Sequence, residues 1–377
     1  MKKIQLKKQK KTIDRQFFFL TLALVSLGLI AIADASAPQA INVFDDRFYF
    51  FKQQVVAAVI GFIALVIASR IPYRFWEKIA LPFFVFTLIL LVAVLIPGIG
   101  TKSLGARRWI IIDPIPSFQP SELIKLSLAF YMAKLATTSK GLLAYIIPLV
   151  IVGFLIMMQP DLGTLIIISA IGLAQIFVAG VSIMHFIGVL IAGGAISVLL
   201  ILTSDYRRDR LMTFIQQSQD PLGKSYHIRQ ILLALGLGGV FGVGLGESRQ
   251  KYLFLPEAAT DSIFAIIAEE VGFIGSTVII IVLLFFIARA FRISRNAPDI
   301  FSKVLATGIT VWIGAQILLN IGSMLALVPL TGVPLPFFSY GGSSLVTIMF
   351  AIGILLGISR YENETKNKRK TAKVKLK

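Results

Sequence analysis

The sequence contains no cysteine and only two histidines, His185 and His227. Disulfides, thiol catalysis and Cys-ligated zinc are excluded, and a multi-histidine metal site has too few ligands. Charge is scarce as well. Asp, Glu, Lys and Arg make up 15% of the 377 residues, where a soluble domain carries about 25%. Acid is scarcer still, with 19 acidic residues against 37 basic ones. The rest is apolar, at 56% hydrophobic residues and a mean hydropathy of +0.85. Such a chain belongs in lipid.

The net charge of +18 is concentrated at the ends. Residues 1–15 hold seven Lys/Arg against one Asp, and residues 360–377 hold eight against two Glu, together twelve of the eighteen charges. Basic tails flanking apolar spans read as cytoplasmic anchors on anionic lipid, not as a nucleic-acid surface. The apolar run Phe17 to Ala33, followed by small residues, imitates a signal peptide. It is longer than the usual core of about 7–15 residues, and many further spans follow it, so it reads as a retained first helix.

Apolar stretches able to cross about 30 Å of hydrocarbon fall near 16–35, 53–69, 79–97, 121–139, 142–159, 162–180, 184–203, 262–288, 303–328 and 343–359. The expected fold is thus an all-α polytopic membrane protein. It has about ten transmembrane helices over 16–359, a basic tail at each end, and a large extracytoplasmic loop, 204–261, between helices 7 and 8. With both tails cytoplasmic, 24 of the 37 Lys/Arg fall on the cytoplasmic side, as the positive-inside bias requires. The glycine-rich stretch Ile231 to Gly246 reads as re-entrant or interfacial, because counting it as a span would reverse the basic C-terminal tail. Its glycines at 238, 242 and 246 stand four apart, a spacing that lets helices approach closely.

Ionisable groups are costly in lipid, so those beside spans are the candidates for function. In the loop 98–120, Arg107, Arg108 and Trp109 place two guanidinium groups and an interfacial aromatic on the external side. Guanidinium suits bidentate phosphate binding, and headgroup anchoring explains the same residues. Glu122 and Lys125 stand three apart at the start of a helix, able to bind substrate or simply to pair. Asp161, joining two spans, reads as a helix cap. Asp261 stands where a polar loop meets an apolar helix. A carboxylate there is dry on one side and open on the other, which suits a general base, although a plain N-cap fits too. Arg249 and Lys251 bring cationic charge to the same mouth. The residues alone describe an outward-facing polar site of mixed charge, fit for an enzyme acting on a lipid-linked anion or for a transporter.

These strings, in order over about 16–359, resemble the SEDS family (shape, elongation, division, sporulation; FtsW/RodA/SpoVE). The division and sporulation branch is nearer than the elongation branch. The resemblance is carried by Gly105-Ala-Arg-Arg-Trp-Ile110, Gln119-Pro-Ser-Glu122, Gln159-Pro-Asp-Leu-Gly-Thr164 and Gly242-Val-Gly-Leu-Gly246. Further matches are Ser248-Arg-Gln-Lys-Tyr-Leu-Phe-Leu-Pro-Glu257, Thr260-Asp261, Glu269-Glu270 and Val333-Pro-Leu-Pro-Phe-Phe-Ser-Tyr-Gly-Gly-Ser-Ser344. Ala259 departs from the histidine common at its position in relatives. The resemblance implies a peptidoglycan glycosyltransferase that polymerises lipid II on the outer face of the bacterial cytoplasmic membrane, acting in cell division at the septum. Asp261 would be the essential acid, and a class B penicillin-binding protein would be the transpeptidase partner among other division proteins. It also implies dependence on a divalent cation such as Mg²⁺ or Mn²⁺, with ligands unknown and no organic cofactor. A lipid II flippase and a non-catalytic division scaffold are the alternatives.

Overall fold

The computed structural model describes residues 12–103, 106–112, 115–138, 141–203, 208, 212–214 and 225–361. Most of both basic tails and much of the loop 204–261 lie outside the described residues. Each apolar stretch read from the sequence holds a helix. These are α1 (Arg15–Ala35), α3 (Tyr49–Arg70), α4 (Tyr73–Ala93), α5 (Pro120–Thr138), α6 (Leu142–Met157), α7 (Leu162–Val178), α8 (Ile183–Leu202), α10 (Ile263–Arg295), α11 (Ile300–Met324) and α12 (Gly342–Ser359). Two short helices, α2 (Ala37–Phe44) and α9 (Tyr226–Gly238), lie between them. By length and composition, α1, α3, α4, α10, α11 and α12 can each cross a membrane. Helices α6, α7 and residues 183–196 of α8 are apolar but shorter.

The chain is mostly helical, with one departure from the all-α expectation. The segment between α4 and α5 folds as three antiparallel strands, β1 (Gly100–Ser103), β2 (Ala106–Ile112) and β3 (Ile115–Phe118), with β2 in the middle. Strands this short have little signal of their own, and the pairing satisfies their backbone groups.

Helices α11 and α12 are buried on most sides and form the centre of the bundle. Close approach comes from glycine at two contacts in particular. A Cβ on Gly353 of α12 would lie 2.4 Å from the Leu65 carbonyl of α3. One on Gly308 of α11 would meet Gln175 of α7 and Ala129 of α5. Gln175 instead donates to the Ala129 and Val304 carbonyls at 2.9 and 3.1 Å. At the end near the tails, Asp14 caps α1 and accepts two hydrogen bonds from Arg289 of α10 at 2.8 and 2.6 Å. Its backbone N–H donates to the Ser359 hydroxyl of α12 at 3.0 Å.

Helix α10 is broken. Gly272 has φ 69° and ψ −170°, a conformation that suits glycine, and it separates a short half-helix from the long remainder. The glycine-rich segment fills the break. Val243 and Gly244 donate to the carbonyls of Glu269 and Glu270, at 3.0 and 3.1 Å. Phe273 and Ile274 donate to those of Gly239 and Val240, at 2.9 and 3.2 Å. The spacing of Gly238, Gly242 and Gly246 thus does allow close approach: Gly238 brings α9 against Ala268 of α10, and Gly242 brings the non-helical segment against Glu270. Only Gly238 is helical; Gly242 and Gly246 have φ near 85°, and a Cβ on Gly242 would collide with the Glu270 carbonyl. At 13 residues, α9 is about 20 Å long, too short to cross about 30 Å of hydrocarbon.

Candidate functional site

Asp261 is half-buried in the turn immediately before α10. The N-cap position belongs to Ser262, whose side chain makes no capping bond and instead pairs with His227 Nε2 at 2.8 Å. Two neighbouring elements hold the turn by its backbone. Asn320 of α11 donates to the Asp261 and Val333 carbonyls, both at 2.8 Å. Ser339 donates to the Thr260 carbonyl at 2.6 Å, and Tyr340 N–H to that of Ala259 at 2.9 Å. The carboxylate lies beside Gly332 (φ 70°), where a Cβ would stand 3.3 Å from Asp261 Oδ2. The loop 325–341 thus forms one wall around the acid.

That loop also touches the break between α6 and α7. A Cβ on Gly163 would lie 2.4 Å from Val333 and 2.9 Å from the Thr331 carbonyl. Asp161 caps α7, accepting from Thr164 N–H at 3.0 Å and from its hydroxyl at 2.9 Å. Arg108 reaches the same break from β2. Its Nε donates to the Gln159 carbonyl at 3.0 Å and its Nη2 to that of Pro160 at 2.6 Å. Its fork is therefore occupied by backbone, which departs from the phosphate-binding expectation. Arg107, its neighbour across a bulge in the β1–β2 pairing, makes a long contact, 3.5 Å, to the Leu95 carbonyl at the end of α4. Trp109 is partly buried, and its carbonyl accepts from Thr101.

Glu122 and Lys125 form a buried ion pair of 2.7 Å, with the ammonium 5.1 Å from the Trp312 ring centre. Ala129 meets Gly308 and Lys125 meets Trp312, so α5 and α11 run antiparallel in a fixed register. On α11, Gln316 and Asn320 follow Trp312 at successive turns, and on α5 Ser121 and Glu122 stand one turn before Lys125. Ser121 Oγ, Glu122 Oε2, both amide atoms of Gln316 and Asn320 Oδ1 are buried without a hydrogen-bond partner among the described residues. A polar seam therefore runs along α11 from the ion pair to the turn that carries Asp261. Buried atoms of this kind ordinarily take water or a ligand hydroxyl.

Arg249 is exposed, and its backbone N–H donates to Glu269 at 3.1 Å. Ser248 and Gln250 donate to Glu269 as well, so this carboxylate folds the 248–250 turn. Lys251 departs from expectation: it is buried, and its ammonium faces Asp34, Glu270 and the Gly246 carbonyl. Burial alone would lower its pKa, but the hydrogen bonds and charges of Asp34 and Glu270 outweigh burial and hold it above the ordinary lysine value. Among the described residues, no three of His, Asp or Glu stand close enough to cage a metal ion.

The sequence assigns no role to Asn320, His227, Gly332 or Asp34, and Ser339 stands there only as part of the string 333–344. Asn320 was detectable in principle, as a lone amide in an apolar helix. The others carry no local signal, because their partners are remote in sequence.

Similar proteins share the whole architecture. Stage V sporulation protein E of Bacillus subtilis is 42% identical over 361 residues, covering 94% of this chain and 98% of that one. A probable peptidoglycan glycosyltransferase FtsW of Trichlorobacter lovleyi is 40% identical, covering 92% and 93%. A solved chain from a study of coordinated polymerization and crosslinking by a peptidoglycan synthase complex superposes with a TM-score of 0.77 at 26% identity, covering 93% and 98%. The rod shape determining protein RodA of Thermus thermophilus gives 0.69 at 26% identity, covering 93% and 97%. The cell cycle protein family model FTSW_RODA_SPOVE matches residues 14–364, and the chain belongs to that family.

Proposed function

We infer that the protein is a peptidoglycan glycosyltransferase that joins lipid II units into glycan strands. The observation that carries the catalytic assignment is the half-buried carboxylate of Asp261, fixed by its backbone between α11 and the loop 325–341. In the reaction, a sugar hydroxyl of the acceptor attacks the anomeric carbon of the donor. The new C–O bond forms as the bond to the diphosphate breaks, and undecaprenyl diphosphate leaves with the electron pair. Asp261 takes the hydroxyl proton. Direct attack inverts an α-linked donor to a β-linked product. Pyrophosphate leaves as an anion, so it needs electrostatic stabilisation more than a strong acid. Arg249 and Arg107 are the candidates to supply it, since Arg108 and Lys251 are engaged by the protein.

For this chemistry the protein spans the cytoplasmic membrane about ten times, with both basic tails inside. Asp261, the strands and the loop 204–261 face outward, where lipid II is polymerised. The family's division and sporulation branch gives the working context, septal wall synthesis beside a class B penicillin-binding protein. A divalent cation would supply charge neutralisation at the leaving diphosphate, and among the described residues no cluster of three His, Asp or Glu is present to hold it. Purified protein with lipid II in detergent should yield glycan chains, and Asp261→Asn should reduce their formation at least a hundredfold, within the ~10²–10⁴ typical of a positioned base. Wild-type rates in that variant would remove Asp261 as the base. Flipping in liposomes without chain formation would instead make the protein a transporter.

A further inference from the structure

The break at Gly272 leaves residues 263–271 as a short rod that the long remainder of α10 does not orient. Asp261 lies just before one end of the rod, and Glu269 and Glu270 stand at the other. Each end has its own anchor. Asn320 and Ser339 hold the Asp261 end, as described. At the far end the glycine segment pairs with the backbone, and Lys251 fixes the side chains.

Lys251 joins parts of the chain remote in sequence. Its Nζ donates to both oxygens of Asp34, in the last turn of α1, at 2.7 and 2.9 Å. It also donates to Glu270 Oε1 and to the Gly246 carbonyl, each at 2.8 Å. An ammonium has three protons, and four oxygens surround this one, so no donor is left for a substrate phosphate. Glu270 receives Ser248 N–H as well, at 3.3 Å. Asp34 is the most open member, with its side chain 26% exposed.

We propose that Asp34 and Lys251 are positioning residues for glycosyl transfer: the triad Asp34–Lys251–Glu270 sets the angle of the half-helix that presents Asp261. Helix α1 then takes part in the reaction without touching substrate. The proposal rests on Asp261 being the base. A tilt at the Glu270 end is carried to the Asp261 end of a rigid rod, and a misplacement of about 1 Å at a reacting centre costs up to ~10²-fold in rate.

The test uses the full chain in detergent with lipid II, comparing wild type with Asp34→Asn, Lys251→Met, the double variant, Lys251→Arg and Asp261→Asn. Lys251→Met should lower kcat about tenfold or more, within the range for small displacements, with KM for lipid II unchanged. Asp34→Asn should act in the same direction. The double variant should be no slower than Lys251→Met, and Lys251→Arg should recover part of the rate. If Lys251→Met does not fold, Asp34→Asn carries the test, because it leaves the Lys251–Glu270 pair in place. A raised KM at unchanged kcat would overturn the proposal and make Lys251 a substrate contact. A lowered Tm at unchanged kcat would overturn it too, leaving the triad purely structural. Wild-type rates for Asp261→Asn would defeat both the base assignment and this inference. Loss in Asp261→Asn with normal kcat in the Asp34 and Lys251 variants would defeat the inference alone.

Discussion

Asn320 donates through one amide nitrogen to the carbonyls of Asp261 and Val333, both at 2.8 Å, and so pins the turn that carries Asp261 and the loop 325–341 to the same point on α11. Substituting Asn320 with Ala removes the donor and leaves two carbonyls without it. Each such loss costs about 1–3 kcal/mol if the carbonyl stays buried. The expected outcome is a lower Tm together with a lower kcat for glycan synthesis. An Asn320→Ala protein with normal kcat would show that the turn holds its shape without this anchor.

Arg107 and Arg108 should separate experimentally, because Arg108 holds the α6–α7 break through two hydrogen bonds whereas Arg107 makes one long contact to the end of α4. Arg107→Ala should weaken use of limiting lipid II while leaving thermal unfolding nearly unchanged. Arg108→Ala should lower Tm, since the Gln159 and Pro160 carbonyls lose their donors. Lysine at Arg107 should rescue in part, as an ammonium lacks the planar fork. Equal effects of the two alanine variants on lipid II kinetics would contradict this division of roles.

The Glu122–Lys125 pair is almost wholly buried. Removing one partner leaves an uncompensated charge, a loss of about 3–5 kcal/mol. Lys125→Met should therefore destabilise strongly, and Glu122→Gln with Lys125→Met should recover much of the loss in thermal unfolding. If the double variant is as unstable as the single, the damage comes from lost packing against Trp312 and not from the stranded charge.

Lys251 titrates at a higher pH in the folded chain than in an unfolded one. Its stabilising contribution is thus complete below the ordinary lysine value of about 10.4 and is lost as pH rises through the folded value. Wild-type Tm should carry no dependence on this group from about pH 7 to 9, and Lys251→Met should differ from it by a constant offset there. An offset that shrinks steadily across that window would mean that the lysine deprotonates far earlier.

Topology can be read chemically because the chain has no native cysteine. Single cysteines at Ile99 and Leu253, both exposed, should react with an impermeant thiol reagent in intact spheroplasts. Cysteines at Thr138 and Phe291, exposed at the other end, should react only after permeabilisation. Protection of Leu253→Cys would place the Asp261 loop inside, where lipid II polymerisation does not occur.

Much of the helical layout was legible because apolar runs of membrane length declare themselves in composition. Asp261 was legible for a similar reason, as an acid where polar sequence turns apolar. What escaped depends on contacts distant along the chain. The break in α10 falls inside an apolar run, and the glycine segment that satisfies it lies about thirty residues upstream. Lys251 looked like a free cation at the mouth because its partner Asp34 is 217 residues away. Arg108 looked like half of a phosphate clamp because nothing local announces that β2 is a strand lying against the α6–α7 break.

The hydrogen bond from Asp14 to Ser359 joins the first helix to the last across 345 residues. A ribosome adds about 5–20 residues each second, so α1 stays in the bilayer for tens of seconds before its partner exists. The centre of the bundle can be completed only after α12 has been inserted. The Asp14 carboxylate meets Phe17 N–H as soon as α1 forms and Arg289 once α10 has arrived, whereas its backbone N–H waits for Ser359. A chain stopped short of Ser359 would keep the packing of α1 on α3 and α10 and lack this last tie between its two ends.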